Sequence, residues 1–187
     1  MSKQYADYHR TVVGFHGTTY AKAHKIVSGE AFKLSKNADD WLGHGTYFLE
    51  YAPKQAWEWA AKRYAKSTKI AVVGAMIRLG NCFDLLDPEN MKPLTSTHKL
   101  LVKTLDADGK KVPKNRNASK YLDCAVFQAF YNAQELAGDE IDTTRAVFVP
   151  SKNRLWDRSG LFEGSHVQLC VRKPECILGA WLVPEIG

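Results

Sequence analysis

Three short stretches of this chain carry residues whose types and spacing suit a ligand cleft. The first is Asp39 to Glu50, reading Asp-Asp-Trp-Leu-Gly-His-Gly-Thr-Tyr-Phe-Leu-Glu. Gly43 and Gly45 allow backbone angles or close approaches that a Cβ would block, so the chain can deliver the Tyr47 ring to a ligand. The same residues would also serve as a tight turn feeding a buried strand, with Tyr47 and Phe48 as core aromatics. The second stretch is a short apolar run, Thr11 to Phe15, that ends in His16-Gly17-Thr18. In the third, Ser165 to Arg172, apolar and polar residues alternate. Val167, Leu169 and Val171 point one way; His166, Gln168, Cys170 and Arg172 point the other, so Gln168 is expected to face away from the apolar core.

A strand stopping on His-Gly-Thr, paired with a Gly-x-Gly-x-Tyr-Phe segment, resembles the ADP-ribosyltransferases of the diphtheria-toxin and poly(ADP-ribose) polymerase type. The pair is much more specific than either half. The resemblance implies neighbouring strands at the nicotinamide end of an NAD cleft. It puts His16 on the ribose hydroxyls, the Gly17 backbone on the nicotinamide amide, Thr18 and Gly45 beside the donor, and Tyr47 as the stacking ring. Asn37 to Trp41 matches a loop on the adenosine side, where Asn37 is either a donor contact or an ordinary turn residue. Relatives add a second aromatic from the helix after the tyrosine. Trp57 falls within one residue of that place and either completes the ring sandwich or packs in the core.

The family pattern breaks at the third stretch, where Gln168 stands in the place of a catalytic glutamate. A glutamate can hold the ribose 2′-hydroxyl, stabilise charge at the anomeric carbon and take a proton from the acceptor; glutamine does only the first well. Glu163, five residues earlier beside Gly164, is the nearest spare carboxylate and either reaches the cleft or sits on the surface. The preceding loop, Ser151 to Gly164, corresponds to an acceptor-recognition loop. Its Lys152, Arg154 and Arg158 around an exposed Trp156 would suit phosphates and a stacked base. A buried Trp156 flanked by solvated arginines is the alternative.

The elements that position these stretches follow from patterning. Residues 11 to 16 read as a strand, and Thr18 or Thr19 caps a helix closed by Gly29. Phe32 and Leu34 alternate as a short strand. Pro53 starts a helix. Ile70 to Leu79 and Cys82 to Leu85 read as strands, and Pro93 to Leu105 as a helix with Leu100, Leu101 and Leu105 inward. A helix from Ser119, as cap, to Leu136 turns Leu122, Val126, Ala129, Phe130 and Ala133 inward. Strands follow at 145–149, 165–172 and 177–183. This order predicts one α+β domain over residues 1–187, and the resemblance implies an ADP-ribosyltransferase-like split antiparallel β-sheet with flanking helices.

The chain has 187 residues, 45% hydrophobic and 25% charged, enough for one buried core. The polar N-terminus holds no apolar signal core and no window is apolar enough for a span, which points to the cytoplasm and away from a membrane. Cys82, Cys124, Cys170 and Cys176 sit in apolar patterns and read as reduced. No Cys-x-x-Cys occurs and the histidines are scattered, so no metal is expected. The net charge of +6 suggests an anionic partner. Lys103, Lys110, Lys111, Lys114, Arg116 and Lys120 stand against only Asp106 and Asp108 in one turn-rich segment. Lys110, Lys111, Lys114 and Arg116, with Arg154, Trp156 and Arg158, are the candidate acceptor contacts. With the resemblance, these features imply an NAD-dependent mono-ADP-ribosyltransferase acting on a macromolecule, preferably RNA or DNA. Relatives of this kind often serve as toxins in toxin–antitoxin or phage-defence systems, so an antitoxin is a possible partner. The alternative is a catalytically silent module binding NAD, ADP-ribose or RNA. RNA 2′-phosphotransferase on the same fold would need an arginine-rich site that the two motifs do not supply.

Overall fold

The computed structural model describes residues 10–64, 66, 68–116, 119–150 and 152–185. The polar N-terminal stretch and Ser151 lie outside the described residues. The elements in order are β1 (Thr11–Thr19), α1 (Tyr20–Val27), β2 (Thr46–Glu50), α2 (Pro53–Tyr64), β3 (Ile70–Arg78), β4 (Cys82–Asp84), α3 (Met91–Ala107), α4 (Tyr121–Leu136), β5 (Thr143–Phe148), β6 (His166–Val171) and β7 (Ile177–Leu182). The chain is α+β, built on a seven-stranded sheet of order β4-β5-β6-β2-β1-β3-β7. All neighbours are antiparallel except β4 and β5.

The sheet is held unevenly. β1 pairs with β3 along its whole length, from Thr11↔Arg78 to Thr19↔Ile70. With β2 it pairs only at Gly14↔Glu50 and Phe15↔Leu49. The two halves of the sheet therefore meet across a short ladder and part beyond Phe15.

Both faces are covered. Ala52, Ala56 and Ala60 recur every fourth residue and turn α2 onto β1 and β3. On the same face, α4 buries Cys124, Val126, Phe127, Phe130 and Tyr131, the last three in one cluster with Cys170 and Ala146. The opposite face holds Val12, Phe48, Ala75, Ile77, Leu169 and Val171, and α1 covers Ala71 and Val73 through Ala23. On that face Arg145 grips Glu50 with two hydrogen bonds of 2.5 and 2.6 Å and reaches Asp84 at 3.1 Å. This ties β2, β4 and β5 together in an arrangement where Glu50 is largely shielded from water, so loss of one partner would strand a charge.

Several expectations change. The first strand runs past residue 16 to Thr19, which is the one of the two expected threonines that caps α1. Phe32 to Leu34 forms no strand; a single bridge, Ser35↔Gly45, stands there, because the loop folds around its own polar side chains. Leu100 is 66% exposed; α3 packs chiefly against α4 and the 3-10 turn before it. Ala133 is exposed too. Ser119 does not cap α4; Asn115 Oδ1 instead accepts from the Leu122 and Asp123 amides. Gln168 does not face away from the core. It lies on the α4 side with Cys170, and β6 is apolar on both faces, with Leu169 and Val171 buried on one and Cys170 on the other.

Candidate active site

The Gly43–Gly45 turn is held from three directions. The Tyr47 hydroxyl donates to the Gly43 carbonyl (2.7 Å) and accepts from the Leu42 amide (2.9 Å). The Tyr131 hydroxyl donates to the Leu42 carbonyl (2.7 Å). Gln128 accepts from the His44 amide and meets His44 Nδ1 at 2.9 Å. Gly43 has a φ of +76°, and a Cβ there would lie 2.7 Å from the Tyr131 ring. A Cβ on Gly45 would lie 2.5 Å from the Cys170 sulfur. Both glycines are dictated by packing, and the result is a rigid anchor for Tyr47. Burial pushes the Tyr47 phenol far above its usual range, so it stays protonated and donating.

Where β1 and β2 part, the hydrogen-bonding periodicity becomes informative. The Val13 carbonyl accepts from the Tyr51 amide across to β2. Alternation then directs the backbone groups of residues 13, 15 and 17 toward β2. The ladder ends at Phe15↔Leu49, two residues before Gly17 would meet Tyr47. His16 Nδ1 lies 2.8 Å from the Tyr47 carbonyl instead. Gly17 therefore directs one N–H and one C=O toward β2 beyond the last paired residues, a donor and an acceptor side by side, complementary to a carboxamide.

A carbonyl only accepts, so His16 Nδ1 carries the proton and Nε2 is left as an acceptor suited to a hydroxyl. The ring packs edge-on against Phe32 at 5.6 Å and lies 5.7 Å from Phe48. Burial lowers its pKa, outweighing the Tyr47 carbonyl bond, and keeps the imidazole neutral. Residues opposite one another share a face. Gly17, Tyr47 and Gln168 are thus on the side of α2 and α4, with Gln168 opposite Leu49 and Cys170 opposite Tyr47. His16 roots on the other side and reaches the gap through its ring.

The helix aromatic beside Gly17 is Trp59. A Cβ on Gly17 would meet Trp59 Cε3 at 3.2 Å and the Ala56 carbonyl at 2.4 Å. Trp59 is 45% exposed, while Trp57 packs against the cluster of Leu49, Ala52, Ala56 and Val72. The alanine stripe in α2 is the signal that marks which tryptophan flanks the strand. Thr18 is buried in the sheet. Asn37 closes its own loop, its side chain on Ser35 and its amide on Asp40.

At the third stretch, Trp41 Nε1 donates to Gln168 Oε1 at 2.7 Å, and Gln168 Nε2 lies 3.2 Å from His166 Nε2. Glu163 is exposed and accepts from Asn153, at the base of a hairpin in which Arg154 faces Phe162. No protein-family model, curated protein or solved structure matches the chain. Within the hairpin, Arg154 bonds the Ser159 carbonyl and lies over the Phe162 ring, so it shapes the loop. Trp156 at the tip is 61% exposed and Arg158 is open to solvent. Lys110, Lys111, Lys114 and Arg116 are all exposed, and Lys110 pairs with Asp108. Asn115 staples this basic segment to the start of α4, one turn from Cys124, whose thiol touches the Asn37 carbonyl. The basic segment and the Ser35–Asp40 loop thus share one end of α4. Among the described residues no cluster of His, Cys, Asp and Glu could hold a metal, and no helix is long and apolar enough to cross a membrane.

Proposed function

We propose that this chain is an NAD-dependent mono-ADP-ribosyltransferase that modifies a nucleic acid, acting in the cytoplasm as a toxin or anti-phage effector that an antitoxin would restrain. The observation that carries the reading is the parted ladder at Gly17. A backbone donor and acceptor lie beyond the last β1–β2 pair with Trp59 beside them, while the neutral His16 presents an acceptor nitrogen nearby. A nicotinamide carboxamide matches the first pair and a ribose hydroxyl matches the second. Tyr47, fixed by the glycine turn, supplies a ring wall, and a held donor lowers the cost of bringing the acceptor to the anomeric carbon. The exposed Trp156 and the basic segment near α4 favour a nucleic-acid acceptor over a protein.

The test is release of nicotinamide from NAD together with a gain of one ADP-ribose mass on RNA, DNA or protein. Nicotinamide release with label on nucleic acid supports the reading. A chain that binds NAD and releases none is the second reading, a silent binding module. It is favoured by Gln168, whose Oε1 is already engaged by Trp41 where a catalytic carboxylate would be needed.

A further inference from the structure

We propose that His166 takes the proton from the acceptor, an imidazole base serving where transferases of this type use a carboxylate; the proposal rests on the transferase reading above. The hydrogen-bond chain through Gln168 can be written in one direction only. An indole nitrogen only donates, so the Gln168 atom 2.7 Å from Trp41 Nε1 is the oxygen. The Gln168 nitrogen then donates to His166 Nε2. His166 Nδ1 stands 2.6 Å from the Gly164 carbonyl and donates to it. The imidazole is thereby held with its proton on Nδ1 and its lone pair on Nε2, directed at the end of Gln168. A neutral imidazole anchored through one nitrogen, with the other free to exchange its partner, is the arrangement of a general base.

The surroundings fix the ring and leave it reachable. Phe148 lies 5.5 Å from His166 and 5.2 Å from Trp41, so two aromatic contacts brace the chain. His166 is half-buried and opens β6 just after the hairpin bearing the exposed Trp156. The Gln168 amide cannot accept a proton at neutral pH, and Glu163 is exposed and turned to Asn153. In the reaction, an acceptor hydroxyl or N–H displaces the Gln168 amide as donor to His166 Nε2. The acceptor atom bonds the anomeric carbon as the glycosidic C–N bond breaks, its electron pair leaving on the nicotinamide nitrogen. The acceptor proton moves to Nε2, giving an imidazolium that keeps its bond to the Gly164 carbonyl and later yields the proton to water.

His166→Gln tests this, because glutamine can still accept from Gln168 yet holds no proton at neutral pH. We expect transfer to fall about 10²-fold, the low end for general base catalysis, with NAD affinity by calorimetry unchanged. His166→Gly should lose transfer equally and recover part of it when imidazole is added to the buffer. Transfer by His166→Gln at the parent rate overturns the role of His166, and so does a folded His166→Gly protein that imidazole does not restore. A parent protein that releases no nicotinamide from NAD instead sinks the transferase reading itself, before any variant is made.

Discussion

At the scale of single residues, the two tryptophans of α2 separate folding from binding. Trp57 is packed against the cluster of Leu49, Ala52, Ala56 and Val72, so Trp57→Ala should cost about 3 kcal/mol of stability, measured by denaturant unfolding. Trp59 is part-exposed beside Gly17. Its replacement by alanine should leave unfolding nearly unchanged and weaken NAD binding about tenfold, the scale of a lost stacking contact of about 1.4 kcal/mol. The reverse pattern would move the cleft away from Gly17. His16 gives a pH prediction. Burial holds its pKa below the ordinary 6.5, so the unfolded chain takes up a proton first as pH falls. The contribution to stability is complete above pH 6.5 and is lost as pH drops from 6.5 through the lower folded value. Unfolding measured between pH 7 and 5 should show this slope in the parent and a shallower one in His16→Asn.

At the scale of elements, β1 and α2 meet through a residue with no side chain. A Cβ at Gly17 would press on the Ala56 carbonyl, which is helix backbone and cannot swing aside. Gly17→Ala should therefore destabilise the fold by about 1 to 3 kcal/mol and abolish NAD turnover by displacing α2. Gly29→Ala, at a φ of +106° but with open space around it, should cost only the backbone strain and leave turnover intact. Much of this framework was legible in the sequence. Proline and alanines announced α2, alternation announced β6, and the two glycines announced the turn beneath Tyr47. The choice between Trp57 and Trp59 was not, because a motif offset of one residue rotates a helix position by 100°. Nor was the role of Gln168: His166 stands two residues away on the same face of the strand, but Trp41 reaches Gln168 only when the loop before β2 folds over β6. Short polar loops hide such contacts: Phe32 to Leu34 had the alternation of a strand, yet the Ser35, Asn37 and Asp40 side chains satisfy one another and end the pairing after one bridge.

At the scale of the whole molecule, the net charge of +6 matters through where it is exposed. Lys111, Lys114 and Arg116 project from the segment stapled to α4, while Lys110 is already paired with Asp108 and has less to give to a phosphate. Each phosphate neutralised by a lysine or arginine releases condensed counterions, about 0.7 per contact on a single strand and about 0.9 on a duplex. Replacing all four basic residues with glutamine should then reduce the slope of log affinity against log salt by about 2 to 3, with most of the change coming from Lys111, Lys114 and Arg116. Lys110→Gln alone should change it little. NAD affinity should be unaffected, because the stapled segment meets α4 and the parted ladder lies between β1 and β2. Trp156→Ala provides the contrast, since stacking is uncharged: it should weaken nucleic-acid binding by about 1 to 3 kcal/mol at every salt concentration and leave the slope as it was. Filter binding with single-stranded RNA across a salt series distinguishes the two effects. A slope that the four substitutions do not alter would mean that the basic segment faces no phosphate and that the acceptor is a protein.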